Sequence, residues 1–257
     1  MARARYRDVP LAPYLLRVSA KHGRIDKARG FPFDLPFLPG LRLELAARVT
    51  FFVGENGSGK STMLEAIADL AGLPVRGGGK NETELKGRES SELTSALEPT
   101  FGNRPRDGFF FRAEAQLELA ELLEQRARDP EFMGDPYGRY GGRSLKSRSH
   151  GEAFFEVFAN RLDGGLYLMD EPESALSPER QLALLVLIDT LVGHGHTQFI
   201  IATHSPILLT YPEAVIVSFD DPALPRIRAE ETTHVRLTRD ILRDPALYWR
   251  KLRENDS

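Results

Sequence analysis

Residues 54–61 read GENGSGKS and follow directly on the apolar run Val49-Thr50-Phe51-Phe52-Val53. The next residues, Thr62-Met63-Leu64-Glu65-Ala66-Ile67-Ala68, carry a helical pattern. A strand that enters a glycine-rich loop ending in Lys-Ser and leaves it as a helix is the GxxxxGK[ST] phosphate-binding arrangement in its proper setting. The glycines let successive backbone N–H groups turn toward one anion. The helix N-terminus adds partial positive charge at the same point. Lys60 is placed to reach the β- and γ-phosphates and the Ser61 hydroxyl to hold Mg²⁺. Gly54, Asn56, Gly57, Ser58, Gly59, Lys60, Ser61 and Thr62 are therefore the candidate nucleotide contacts, with Lys60 also a candidate catalytic group.

The rest of the chain reads as strands alternating with helices. Apolar or alternating runs over 14–20, 41–46, 108–112, 166–169, 198–202 and 215–219 predict strands. Helical patterns cover 113–128, 151–162 and 181–192, with a last helix or helix pair over 240–252. That order implies an α/β fold built on a mostly parallel sheet. Between about 74 and 108, glycine, charge and Ser/Thr dominate and apolar periodicity fades (RGGGKNETELKGRESSE). We read this stretch as a surface insertion with the composition of a flexible segment.

Composition narrows the chemistry. Of 257 residues, 41% are hydrophobic and 28% charged, enough for a sizeable core and a charged surface. A net charge of −3 argues against a generally basic nucleic-acid binder. With no cysteine, thiolate metal sites, cysteine nucleophiles and disulfides are excluded, and a cytoplasmic location is the expectation. No apolar stretch is long enough to cross a bilayer. The basic start, Met1-Ala2-Arg3-Ala4-Arg5, is followed by Asp8 and two prolines where a signal peptide needs an apolar segment.

Three further segments carry chemistry. The strand at 166–169 runs into Asp170-Glu171-Pro172, presenting two carboxylates at the edge where α/β sheets bind ligands. Asp170 is a candidate Mg²⁺ ligand, and Glu171 a candidate general base for the attacking water. Thr203-His204-Ser205-Pro206 follows the buried run 198–202, so His204 is a candidate γ-phosphate partner. Ser149-His150-Gly151-Glu152 precedes a helix, a second candidate anion site formed by a helix end. Between these, Glu173 to Pro178 (ESALSP) reads as a turn into a helix, with Ser177 at the N-cap and Pro178 at the first helical position.

Taken in this order, the segments resemble the ATP-binding cassette (ABC-type) ATPases. GENGSGKS matches the phosphate loop and LYLMDEP the second nucleotide motif with its glutamate. RSHGE is similar to the signature motif, keeping Ser149 and Gly151, with His150 in place of a glycine and Glu152 in place of the glutamine. SALSP resembles the loop that pairs across the dimer, and ATHS the switch histidine. The match runs from about 15 to 219 and is most like the small stand-alone ATPases of this class. It implies a single P-loop NTPase domain over 1–257, its parallel sheet flanked by helices. An antiparallel β portion and a small helical lobe at about 113–148 complete it. It also implies ATP and Mg²⁺ as ligands and a homodimer closing head to tail on two ATP molecules. Each ATP would then meet the phosphate loop of one chain and Ser149, Gly151 and Glu152 of the other. The physical reason is that one protein face cannot neutralise a triphosphate and exclude water at once. The family's glutamine loop is not matched: Glu114 and Gln116 both follow the 108–112 strand, Arg112 is a further phosphate-facing candidate, and we assign Glu114 to the metal side. The cycle would drive a protein or nucleic-acid partner, for example in DNA maintenance or phage defence. The alternative is the energising subunit of a membrane transporter.

Other features carry less. Phe31, Phe33 and Phe37 are candidates to stack on adenine, although aromatics in a Pro-rich loop usually plug the core. His194 and His196 read as part of a glycine-rich loop. Arg139, Arg143, Lys146 and Arg148 read as a solvated basic loop, and Tyr248 and Trp249 as helix-packing residues.

Overall fold

The computed structural model describes residues 9–25, 30–80, 82, 90–147 and 150–255. Its strands are β1 (Leu15–Ala20), β2 (Arg42–Glu44), β3 (Val49–Val53), β4 (Gly78–Gly79), β5 (Leu97–Phe101), β6 (Gly108–Arg112), β7 (Gly165–Asp170), β8 (Thr197–Ala202), β9 (Val215–Ser218) and β10 (Arg226–Ile227). Its helices are α1 (Lys60–Leu70), α2 (Gln116–Arg128), α3 (His150–Arg161), α4 (Pro178–Gly193), α5 (Thr233–Arg243) and α6 (Pro245–Asn255). The larger sheet runs β10-β9-β3-β8-β7-β6-β4. Its inner neighbours β9-β3-β8-β7-β6 are parallel, and β10 and β4 close the edges antiparallel. A smaller antiparallel sheet, β2-β1-β5, packs over it. The fold is the expected α/β P-loop architecture with an antiparallel portion.

Every residue of β3, β7 and β8 is buried, because both faces of the sheet are covered. Alternate side chains serve alternate cores. Phe52, Leu168 and Ile200 join Met63, Leu64 and Ile67 of α1 and the small sheet's Leu15, Leu43 and Leu97. Phe51, Tyr167, Met169 and Ile201 point the other way, to Leu123 of α2, Phe158 of α3 and Leu184 and Ile188 of α4. Each such side chain contributes about 1.5–3 kcal/mol by leaving water. The β8 residue Gln198 stitches the sheets together. Its Oε1 accepts from the N–H groups of Tyr14 and Leu15 at 2.8 and 2.9 Å, and its Nε2 donates to the carbonyls of Leu15 and Leu45 at 2.9 and 2.8 Å. A buried amide with its donors and acceptor used locks one arrangement of the two layers.

Three expectations need correction. The 74–108 stretch is not merely a surface insertion, for its later part forms a short 3₁₀ turn (Glu92–Ala96) and then β5, which pairs along β1. Leu93, Ala96 and Leu97 are fully buried. Residues 81 and 83–89 lie outside the described residues. The C-terminal helices begin earlier than periodicity suggested, at Thr233, and Trp249 is 62% exposed rather than packed. No helix among the described residues is long and apolar enough to cross a membrane.

Candidate active site

Because β3, β7 and β8 are parallel neighbours, their C-terminal ends deliver three loops to one edge of the sheet. The phosphate loop leaves β3. Gly57 and Gly59 sit at φ +82° and +94°, a region that costs other residues about 1–2 kcal/mol. Gly59 has a second reason to be glycine: a Cβ there would lie 2.8 Å from Phe37 Cε1. Phe37 is buried and packs edge-on against Phe219 at 5.2 Å, so it is a core plug under the loop. Phe33 packs half-buried on the same core, and only Phe31 of the three is exposed.

Lys60 opens α1 with its ammonium folded back on the loop. It donates to the carbonyls of Gly54 and Glu55 at 2.7 and 2.9 Å and to Ser58 Oγ at 3.4 Å. Burial lowers its pKa, and the carboxylates of Glu171, Asp220, Asp170 and Glu55 oppose that shift. The next residue, Ser61, donates its hydroxyl proton to Asp170 Oδ1 at 3.0 Å. Burial raises the Asp170 pKa, and the nearby Arg112 charge and the Ser61 hydrogen bond work against it. The loop N–H groups do attract anionic oxygen: Glu55 N–H donates to the Asp220 carboxylate at 2.6 Å. Ser61 and Asp170 present hard oxygen donors in the small number that Mg²⁺ takes from protein. The residues present therefore fit a polyphosphate with magnesium.

Glu171 holds a left-handed conformation, φ 47° and ψ 55°, strain of the kind found at functional sites. Its Oε1 lies 3.3 Å from His204 Nε2, a close electrostatic contact without hydrogen-bond alignment. The His204 backbone N–H donates to Glu173 Oε1 at 2.5 Å. Burial raises the Glu173 pKa, an effect that this N–H opposes. His204 itself is held below the ordinary imidazole range by burial and by the charge of Lys60.

The structure thus gathers Lys60, Ser61, Asp170, Glu171 and His204. Thr62 lines a cavity of about 510 Å³ beside the loop, with Phe31, Glu65, Arg112 and Glu114. Glu114 does not join the metal side. It is exposed, and its carboxylate lies 3.6 Å from Arg112 and makes no contact with Ser61 or Asp170. Arg112 is drawn instead to carboxylates, Glu65 at 2.7 Å and Asp170 at 3.7 Å, because β6 pairs it directly opposite Asp170. Gln116 is buried at the start of α2. Gly151 and Glu152 stand at the start of α3, which packs on α4 and the turn at Pro172–Ala175. Glu152 reaches Arg180 at 3.7 Å. Ser149 lies outside the described residues.

Sequence reasoning missed Glu65, Asp220, Glu173 and His234. Glu65 stands one helical turn after Ser61 on α1, and Asp220 follows β9 at the same sheet edge, so both carried a positional signal. His234 carried none. Its Nε2 lies 2.9 Å from His204 Nδ1, across 30 residues of chain.

The chain matches the family described as "AAA domain, putative AbiEii toxin, Type IV TA system" over residues 49–122 and 153–210. It is similar to the zinc transport system ATP-binding protein TroB of Treponema pallidum (strain Nichols), 29% identical over 58% of this chain and 59% of that protein. It is also similar to the ribose import ATP-binding protein RbsA of Roseobacter denitrificans, 28% identical over 62% of this chain and 34% of that one. The thiamine import ATP-binding protein ThiQ of Haemophilus influenzae (strain 86-028NP) is 27% identical over 67% of this chain and 82% of its own length. The chain therefore spans less than two thirds of the length of the first two relatives. A solved structure of an ATP-binding cassette of an ABC transporter superposes with a TM-score of 0.51 at 16% identity, covering 91% of this chain and 97% of that one, which shows the fold. The chain belongs to the family of that AAA-domain description, within the ABC-type P-loop ATPases.

Proposed function

We propose that this chain binds ATP with magnesium at the 54–61 loop and hydrolyses it as half of a head-to-tail homodimer. The observation that carries the reading is the convergence of Lys60, the Ser61–Asp170 pair and the Glu171–His204 contact on one sheet edge. In this reading Lys60 exchanges its carbonyl contacts for phosphate oxygens. Ser61 and Asp170 would hold Mg²⁺, which when bound neutralises charge developing on the phosphates. Glu171 takes a proton from the attacking water, and His204 donates its Nε2–H to the γ-phosphate. Ser149, Gly151 and Glu152 serve the second chain's nucleotide.

The test is size-exclusion chromatography of Glu171→Gln with ATP. A long-lived dimer that hydrolyses slowly is expected, and a protein that stays monomeric at high concentration overturns the sandwich. Calorimetry of Lys60→Ala should show loss of nucleotide affinity. The family's description names a toxin–antitoxin system, which favours a protein or nucleic-acid partner driven by the ATP cycle. The import ATP-binding relatives favour a second reading, the energising subunit of a transporter. Stimulation by DNA or RNA with steep salt dependence supports the first. Co-purification with a membrane protein supports the second.

A further inference from the structure

At the rim of the site just described, the least expected contact is the one between two imidazoles. His204 Nδ1 and His234 Nε2 are 2.9 Å apart, with ring centroids 4.6 Å apart and the planes at 64°. His234 is the second residue of α5, a helix with no buried residue of its own. The start of α5 is nevertheless fixed in place. Thr232 is 3% exposed, accepts from the Val235 N–H at 3.3 Å and donates to the Ala229 carbonyl at 2.7 Å, and Val235 packs on the core. The imidazole is therefore delivered to His204 by an anchored backbone.

We propose that His234 is a positioning residue that sets which nitrogen of His204 carries the proton. The inference rests on the reading of His204 as a γ-phosphate donor and names a group that governs it. A neutral imidazole has one ring N–H. If His204 holds it on Nδ1, it donates to His234, and the bare Nε2 lone pair faces the Glu171 carboxylate, acceptor against acceptor. If His234 donates from Nε2 to His204 Nδ1, the His204 proton sits on Nε2, where it faces Glu171 Oε1 at 3.3 Å. Only the second arrangement presents a donor to the phosphate edge. Burial and the Lys60 charge favour the neutral ring, so the tautomer is what matters. The Glu173 contact holds the His204 backbone and leaves the ring's proton to its neighbours. A partner at Nδ1 that fixes the opposite nitrogen is the same device by which an outer hydrogen bond orients a histidine ligand.

The ¹⁵N-labelled 257-residue chain can be tested by long-range ¹H–¹⁵N correlation of its histidine rings, assigned with His204→Gln and His234→Gln. His204 should be in the Nε2–H form in the wild type and move toward the Nδ1–H form in His234→Ala and His234→Phe. ATP turnover in both should fall about tenfold in kcat with a KM change of less than about threefold. His234→Gln, whose amide can still donate, should recover most of the loss. Phe keeps a ring for packing, so rescue by Phe and not by Gln would mark a merely structural role and overturn the proposal. An unchanged His204 tautomer in His234→Ala would overturn it too. A wild-type protein that hydrolyses no ATP would instead sink the ATPase reading, while the ring spectra still decide the pairing.

Discussion

Ser61 and Asp170 are 109 residues apart in the chain, yet the Ser61 hydroxyl hydrogen-bonds Asp170 Oδ1 at 3.0 Å. The contact joins the first turn of α1 to the last residue of β7, so it registers the phosphate loop against the carboxylate strand. If the pair holds Mg²⁺, Ser61→Ala should raise the magnesium concentration needed for half-maximal ATPase activity by about 10–100-fold. Nucleotide binding in the presence of a chelator should change little. Titration of activity against magnesium distinguishes the two, and an unmoved midpoint would take Ser61 out of the metal role.

Gly57 and Gly59 both have positive φ but meet different surroundings. Nothing lies within 4 Å of a Cβ built on Gly57, whereas one on Gly59 would meet Phe37 at 2.8 Å and Leu35 at 3.0 Å. Gly57→Ala should therefore cost only the backbone strain, about 1–2 kcal/mol. Gly59→Ala adds overpacking of about 1–3 kcal/mol more. Urea denaturation of the two variants measures the gap, and equal costs would show that Phe37 and Leu35 yield freely.

The site was legible where its signal is local. The loop glycines, Lys60 and Ser61 sit in one octapeptide, and Asp170, Glu171 and His204 each end an apolar run that could only be a buried parallel strand. What escaped is set by tertiary placement. Arg112 was a phosphate-facing candidate, but β6 pairs it opposite Asp170 and its guanidinium lies against carboxylates. Glu114 sits only two residues on, where the chain has left β6 for the turn before α2, and its exposed side chain follows Arg112. His234 lies in the first turn of α5, ahead of the stretch from 240 that the sequence reads as helical, and no spacing rule points one of its residues at a distant loop. In the fold, β5 was hidden because Leu93, Ala96 and Leu97 are too few and too irregular among polar residues to show a period.

Leu93 offers a direct check on that hidden strand. It is fully buried in the core shared by α1 and the small sheet, and the turn carrying it is tied to α1 by Thr94 and Asp69, whose hydroxyl–carboxylate bond is 2.6 Å. If the segment is integral, Leu93→Ala should destabilise the protein by about 2–5 kcal/mol, as other buried leucines do. The shift in urea midpoint reports it. A cost below about 0.5 kcal/mol is what a surface position would give.

The last expectation concerns acid. Arg161 is almost wholly buried and clasps Asp107 with two hydrogen bonds, 2.7 and 2.9 Å. Burial by itself would raise the Asp107 pKa, but Arg161, the Gly108 N–H and Arg139 together hold it below the ordinary value. The unfolded chain then binds more protons than the folded one as pH falls through the carboxylate range, so stability drops there and is fully present above about pH 5. Arg161→Met removes the clasp and leaves a half-buried carboxylate whose pKa burial now raises, reversing the sign. The variant should lose about 3–5 kcal/mol at pH 7. The gap to wild type should narrow as pH is lowered toward 4, because protonated Asp107 no longer needs the guanidinium. The double variant Asp107→Asn, Arg161→Met should recover part of the loss and show no such pH dependence. Urea unfolding at pH 7, 5.5 and 4 follows all three proteins, and a gap that stays constant with pH would mean the pair contributes packing rather than charge.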